Sequence, residues 1–142
     1  MNRKIEFRGK TIESSIGWIY GDLIQSPGII PVIQRFEKTI EIKGEKYQQF
    51  SQDKVHPQTV GQFTGIKDGN GTEIFEGDII EVTLRHNNTI VSTYNAIVDQ
   101  KEGAFGFKNK QGFCPFYGQI HENYKVIGNI HDNPELMEGG EK

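Results

Sequence analysis

Several things are scarce in this sequence, and each scarcity excludes a class of protein. Among 142 residues there is one cysteine, Cys114, so no intrachain disulfide can form and a cysteine-based zinc site would have to take its other ligands elsewhere. A reducing cytoplasm is the expected compartment. Leucine and alanine together number only five, against 26 isoleucines and valines, the reverse of the bias that helical proteins show. No apolar stretch approaches the roughly 20 residues that span a bilayer; the longest is about five residues around Ile29–Ile33. Glu6, Arg8 and Lys10 interrupt any secretory core near the start, so no membrane partner is expected. An excess of positive charge is also lacking. The net charge is −3, and the last eleven residues carry Asp132, Glu135, Glu138 and Glu141 against Lys142, so residues 1–131 balance at fifteen basic and fifteen acidic. The totals therefore show no electrostatic footprint for duplex nucleic acid.

What is present is β-branched residues punctuated by glycine. The 17 glycines and five prolines are scattered between short runs, as expected when many strands are joined by tight turns. Arg3–Arg8 alternates, with Ile5 and Phe7 on one face. Ile16–Ile24 is a second strand whose interior glycines suggest a bulge or the close approach of another backbone. Two further runs, Ile29–Phe36 and Thr39–Ile42, precede a hairpin through Lys43-Gly44-Glu45-Lys46 into Tyr47–Phe50. Asp68-Gly69-Asn70-Gly71 is the strongest turn signal, because Asp-Gly and Asn-Gly tolerate positive φ. Asn87-Asn88 is another. The strands predicted after residue 58 form a meander, and closure into a small barrel would remove its sticky edges. One helical turn is expected at Asn133–Met137, with Asn133 as its cap and Pro134 at the first position.

The chemical templates fail one by one. The loop opening at Asp68 has Glu73 where a calcium loop needs glycine and Ile79 where it needs glutamate. Gly61, Gly65, Gly69 and Gly71 fit neither a Walker loop nor a dinucleotide fingerprint. His56, His86, His121 and His131 are dispersed, without zinc spacing. Cys114 lies between Phe113 and Pro115, surroundings that favour an inert thiol. Glu76 and Asp78 form a carboxylate pair, but Glu76-Gly77-Asp78 reads better as a turn feeding an alternating strand, its carboxylates accepting local amide hydrogen bonds. No catalytic residue, metal site or cofactor is expected, and the chain is not read as an enzyme.

Two groups of residues are candidates for binding. Phe105, Phe107 and Tyr117 are interleaved with Lys108 and Lys110, an arrangement that suits single-stranded nucleic acid. Phe105 and Phe107 share one strand face, however, and filling the core is the preferred reading. Trp18 and Tyr20 also project together, either completing the core or anchoring an interface.

Three stretches then carry a resemblance: Val55–Asp68, Gly71–Ile80 and Val126–Leu136, joined by Ile5-Glu6-Phe7-Arg8-Gly9-Lys10 and Trp18–Leu23 near the amino terminus. Together they resemble the YopX family of bacteriophage and prophage proteins, with Phe75 and His131-Asp132 at positions where the family often has tyrosine. The resemblance implies a fold that is all-β and mainly antiparallel, an SH3-like small β-barrel over residues 55–142 with an acidic tail and a short C-terminal helical turn. A β-rich extension over 1–54 would belong to the same compact unit. It also implies a phage origin, hence the cytoplasm of a bacterial host, and no established activity.

The expected function is a phage accessory protein acting as a non-catalytic protein-interaction module. Its partners would be further copies of itself, as a homo-oligomer, and an unidentified phage or host protein. The alternative is an accessory protein binding single-stranded DNA or RNA.

Overall fold

The computed structural model describes residues 4–13, 15–116 and 121–138. They fold into two compact units, one ending at Gln62 and one beginning at Phe63.

In the first unit, strands β1 (Phe7–Lys10), β2 (Trp18–Ile24), β3 (Val32–Ile42) and β4 (Glu45–Lys54) pair antiparallel in the order β4-β3-β2-β1. The start of β5 (Gly61–Lys67) lies on the other side of β1. Isoleucine and valine at alternate positions turn inward, and Ile19, Ile33 and Val55 form the core, with Phe7, Leu23 and Val60 packed against them. Two glycines mark close approaches. A Cβ at Gly9 would lie 2.9 Å from the Val55 side chain, and one at Gly21 would run into the Gln34 carbonyl oxygen. The amino-terminal strand begins only at Phe7, and Ile5, expected to face inward, is 58% exposed. Pro31 lies just outside β3, and the two runs expected on either side of Glu37 are one strand with a register shift between Phe36 and Lys38. The extra residue of the bulge exchanges the faces, so Phe36 and Ile40 lie on opposite sides of the β3–β4 hairpin.

In the second unit, the rest of β5 pairs with β6 (Glu73–Phe75). Five antiparallel strands follow: β7 (Asp78–His86), β8 (Thr89–Lys101), β9 (Ala104–Asn109), β10 (Gly112–Pro115) and β11 (Tyr124–Asn129), in the order β10-β9-β8-β7-β11. The turns are those the asparagines and glycines predict. Asn87 and Asn88 have φ of 53° and 65°, and Gly71 has φ of 84°. The core here is Ile74, Ile80, Val82, Ala96, Val98 and Phe107.

The expected SH3-like closed barrel is not formed. Among the described residues β10 and β11 each pair on one side only, so the sheet is open at both ends. Strand β10 is only four residues long; the Phe116 N–H still donates to the Phe105 carbonyl on β9, but Pro115 has no N–H to offer a further strand. The expected helical turn is a 3-10 turn, Pro134–Met137. Asn133 does not cap it with its side chain, because its Oδ1 accepts instead from the Asn129 N–H at 3.2 Å. The other regular turns are 3-10 as well, at Pro57–Thr59 and His121–Asn123.

Candidate functional site

The carboxylates of the two conspicuous turns are occupied by backbone. Asp68 is 3% exposed. Its Oδ1 accepts from the N–H groups of Asn70 and Thr72, and its Oδ2 from that of Val126, each at 2.9 Å. One side chain thereby ties the hairpin loop to β11. Asp78, 2% exposed, accepts from the Phe75 N–H at 2.8 Å. Gly77 has φ of 91°; its N–H donates to the Val98 carbonyl, and its own carbonyl accepts from the Ile130 N–H, both at 2.9 Å. Gly69 and Glu76 complete these turns. Among the described residues, no group of three or more histidine, cysteine, aspartate or glutamate side chains is placed to hold a metal ion.

Trp18 and Tyr20 lie opposite Lys10 and Arg8 in the β1–β2 register, whereas Ile19 between them opposes Gly9 and faces the core. The period of two therefore puts Trp18 and Tyr20 on the face away from the Ile19 cluster. Arg8 sits with its guanidinium carbon 4.7 Å from the Trp18 ring centroid, a cation–π contact, and Tyr20 is 42% exposed.

Further partly uncovered apolar surface of this unit lies along the next hairpin. Strand β2 pairs with β3 only from Val32 to Gln34. From Arg35 to Ile42, β3 pairs with β4 alone among the described residues, so the hairpin continues as a two-stranded ribbon closed by Lys43 and Gly44 at φ of 51° and 83°. On one side of it Phe36 and Phe50 meet edge to face, ring centroids 5.8 Å apart, yet they are 54% and 45% exposed. Tyr47 and Ile42 are exposed as well. Polar contacts hold the ribbon's base: Arg35 to Asp53 at 3.2 Å, and the Gln52 amide donating to Gln34 Oε1 at 2.6 Å. Sequence reasoning missed this feature because Glu37-Lys38 looks like a strand break. The alternation of Phe36, Ile40 and Ile42 runs through Glu37-Lys38 without interruption, so one long strand is legible there, whereas the bulge that puts Phe36 and Ile40 on opposite faces is not.

The aromatic–lysine segment separates by face. Phe107 is buried in the second core, with Phe116 and Tyr124 at 5.5 and 5.7 Å; Phe105 is half-buried. Lys108 points the other way and donates to Asp99 at 2.7 Å. Burial alone would raise the Asp99 pKa, but hydrogen bonds from Lys108 and the Gln100 N–H, with the lysine's charge, outweigh it and hold the pKa below the ordinary carboxylate value. Lys101 lies 6.0 Å from the Phe113 ring centroid. Lys110 is exposed in the turn between β9 and β10, and Tyr117 falls outside the described residues.

Between β8 and β10 opens a cavity of about 510 Å³, lined by Ser92, Thr93 and Tyr94 on one side and by Phe107, Asn109, Gln111, Gly112, Phe113 and Cys114 on the other. The lining contains no Asp, Glu, Lys, Arg or His. Burial, and then the nearby Cys114, push the Tyr94 phenol above its ordinary pKa; burial, Cys114 and Tyr94 do the same for Tyr124.

These features define a class: an all-β chain of open antiparallel sheets that presents strand edges and aromatic side chains. The YopX family profile, described as "YopX protein", matches residues 6–138, and the chain belongs to that family. A similar solved structure is the crystal structure of protein EF1440 from Enterococcus faecalis. It is 24% identical over 96% of this chain and 100% of that one, with a TM-score of 0.64, a likeness of fold. No curated protein sequence matches the chain. Among the described residues, no helix is long and apolar enough to cross a membrane.

Proposed function

We propose that this YopX-family chain is a non-catalytic protein-interaction module, a phage or prophage accessory protein of the bacterial cytoplasm that associates with further copies of itself and with a phage or host protein. The observation that carries the reading is the β3–β4 ribbon, whose Phe36–Phe50 pair is about half exposed on both rings. A two-stranded hairpin is marginal on its own in water, and a partner laid against these rings would cover apolar area and stabilise the ribbon together. Tyr47 and Ile42 are exposed on the ribbon's other face, and Tyr20 on β2 is exposed as well.

Sedimentation equilibrium of the full chain is expected to show a concentration-dependent mass above the monomer. Replacing Phe36 and Phe50 together by serine is expected to shift the association constant by at least about tenfold while the circular dichroism spectrum is kept. A monomer at every concentration would refute self-association, and a pull-down from host cells with nuclease treatment would then test the hetero-partner. The nucleic-acid alternative has less support in the geometry, since Phe107 is in the core and Lys108 is engaged by Asp99. Fluorescence anisotropy with a labelled single strand tests it, and salt-dependent binding would be its signature.

A further inference from the structure

In the second unit a strand edge and the cavity meet. Strand β9 runs beside β8 from Ile97 to Lys101 and leaves it beyond Lys108. Among the described residues, Thr89–Ala96 then pair with β7 alone. In an antiparallel ladder the backbone groups of alternate residues point away from the neighbour, so Thr89–Asn95 offer N–H and C=O groups along the row that β9 vacates; Ala96 is fully buried, and the Asn95 side chain donates to the Leu136 carbonyl at 3.0 Å. At about 3.3 Å per residue the free edge can accommodate a strand of about seven residues. Natural edges are usually protected by proline, lysine, an inward charge or a bulge. Here Ser92-Thr93-Tyr94-Asn95-Ala96 contains none of the first three, and the one register shift lies at the far end, beside Val91.

The cavity opens where β9 departs, since Ser92–Tyr94 form one of its walls and the Asn109–Cys114 segment the other. Its volume of about 510 Å³ is within the range of sites that hold a compact organic group. Tyr94, Phe107 and Phe113 give it aromatic surface, while Ser92, Thr93 and Asn109 supply uncharged polar groups. A charged occupant would lose its hydration without meeting a counter-ion in the lining, so the complementary group is apolar or aromatic.

We propose that the β8 edge binds an extended, uncharged peptide segment of a partner protein by strand addition, with one apolar or aromatic side chain of that segment seated in the cavity. Main-chain hydrogen bonds along Ser92–Asn95 supply register, and the cavity supplies selectivity for the anchor. The raised Tyr94 pKa agrees with a site of low polarity.

The test is a selection of displayed random peptides of about seven residues on the full chain, followed by measurements on the most enriched sequence made as a synthetic peptide. Enriched sequences are expected to alternate, to carry an apolar or aromatic residue at one position and to be poor in charge. Amide hydrogen exchange is expected to slow within Ser92–Asn95. Methylating alternate amide nitrogens of the peptide should weaken binding by at least about tenfold, because it removes the strand donors. Ser92→Trp should do the same by filling the cavity, with Thr93→Trp as the second variant; both positions are exposed, and circular dichroism checks their folding. The F36S/F50S variant should bind the peptide as the parent does, which separates this result from the ribbon's role. Absence of enrichment over the starting library, protection elsewhere, or charged sequences dominating would overturn the proposal. Insensitivity to amide methylation, or free indole competing as strongly as the peptide, would show cavity filling without strand addition and overturn it equally.

Discussion

Asp68 ties a loop to a strand through one carboxylate. Its carboxylate accepts three backbone N–H groups, and an unsatisfied buried donor costs about 1–3 kcal/mol. Asp68→Asn keeps the shape but turns an amide NH2 toward either the loop amides or Val126, so a loss of about 1–3 kcal/mol in urea unfolding is expected, with Asp68→Ala losing more. Gly77→Val is expected to be more harmful than the joint change Glu76→Gln, Asp78→Asn. A β-branched residue at φ of 91° is strained by about 1–3 kcal/mol or more, while the amides retain an acceptor oxygen. Thermal midpoints of the two variants decide the order. The tyrosines add an alkaline dependence: the folded pKa values of Tyr94 and Tyr124 are raised, so folding favours the protonated phenols. Their stabilising contribution is complete below the unfolded value of about 10 and is lost as pH rises through the folded values. A near-ultraviolet absorbance titration is expected to show phenols ionising above the range of an unfolded control.

At the scale of elements, the ribbon and the second core behave differently because their coverage differs. Beyond Gln34 the β3–β4 ladder has no flanking strand among the described residues, whereas Ile80, Val82, Ala96 and Val98 are at most 3% exposed. Local opening free energies follow burial and neighbouring structure. Amides of Lys38–Gln49 are therefore expected to exchange faster than those of Ile79–Val82 and Ile97–Val98 in native-state hydrogen exchange. Gly44→Val, at φ of 83°, should accelerate exchange in the ribbon with little change in the global urea midpoint. Equal protection in both ladders would mean that the ribbon is already covered in solution. Ile74→Ala, by contrast, removes a fully buried side chain and is expected to cost about 2–5 kcal/mol of global stability.

For the whole molecule, sequence legibility followed the range of the interactions involved. The sequence by itself determined the β class, since 26 isoleucines and valines against five leucines and alanines favour strands residue by residue. It also determined the turns at Lys43-Gly44, Asp68–Gly71 and Asn87-Asn88, because the preference for positive φ belongs to the residue and its neighbours. The family was readable for the same reason, as its motifs are contiguous. Only the tertiary structure decided whether the meander closed: that depends on β10 and β11 finding each other, and β10 stops at Pro115. It also decided that Glu37 is a bulge in one long strand, that Trp18 and Tyr20 face away from the Ile19 cluster, and that Phe107 and Lys108 divide between core and surface. Each follows from register, and a shift of one residue in pairing exchanges the two faces of a strand. The β8 edge and its cavity depend in the same way on where β9 departs, a pairing made between residues distant in sequence that no local preference encodes.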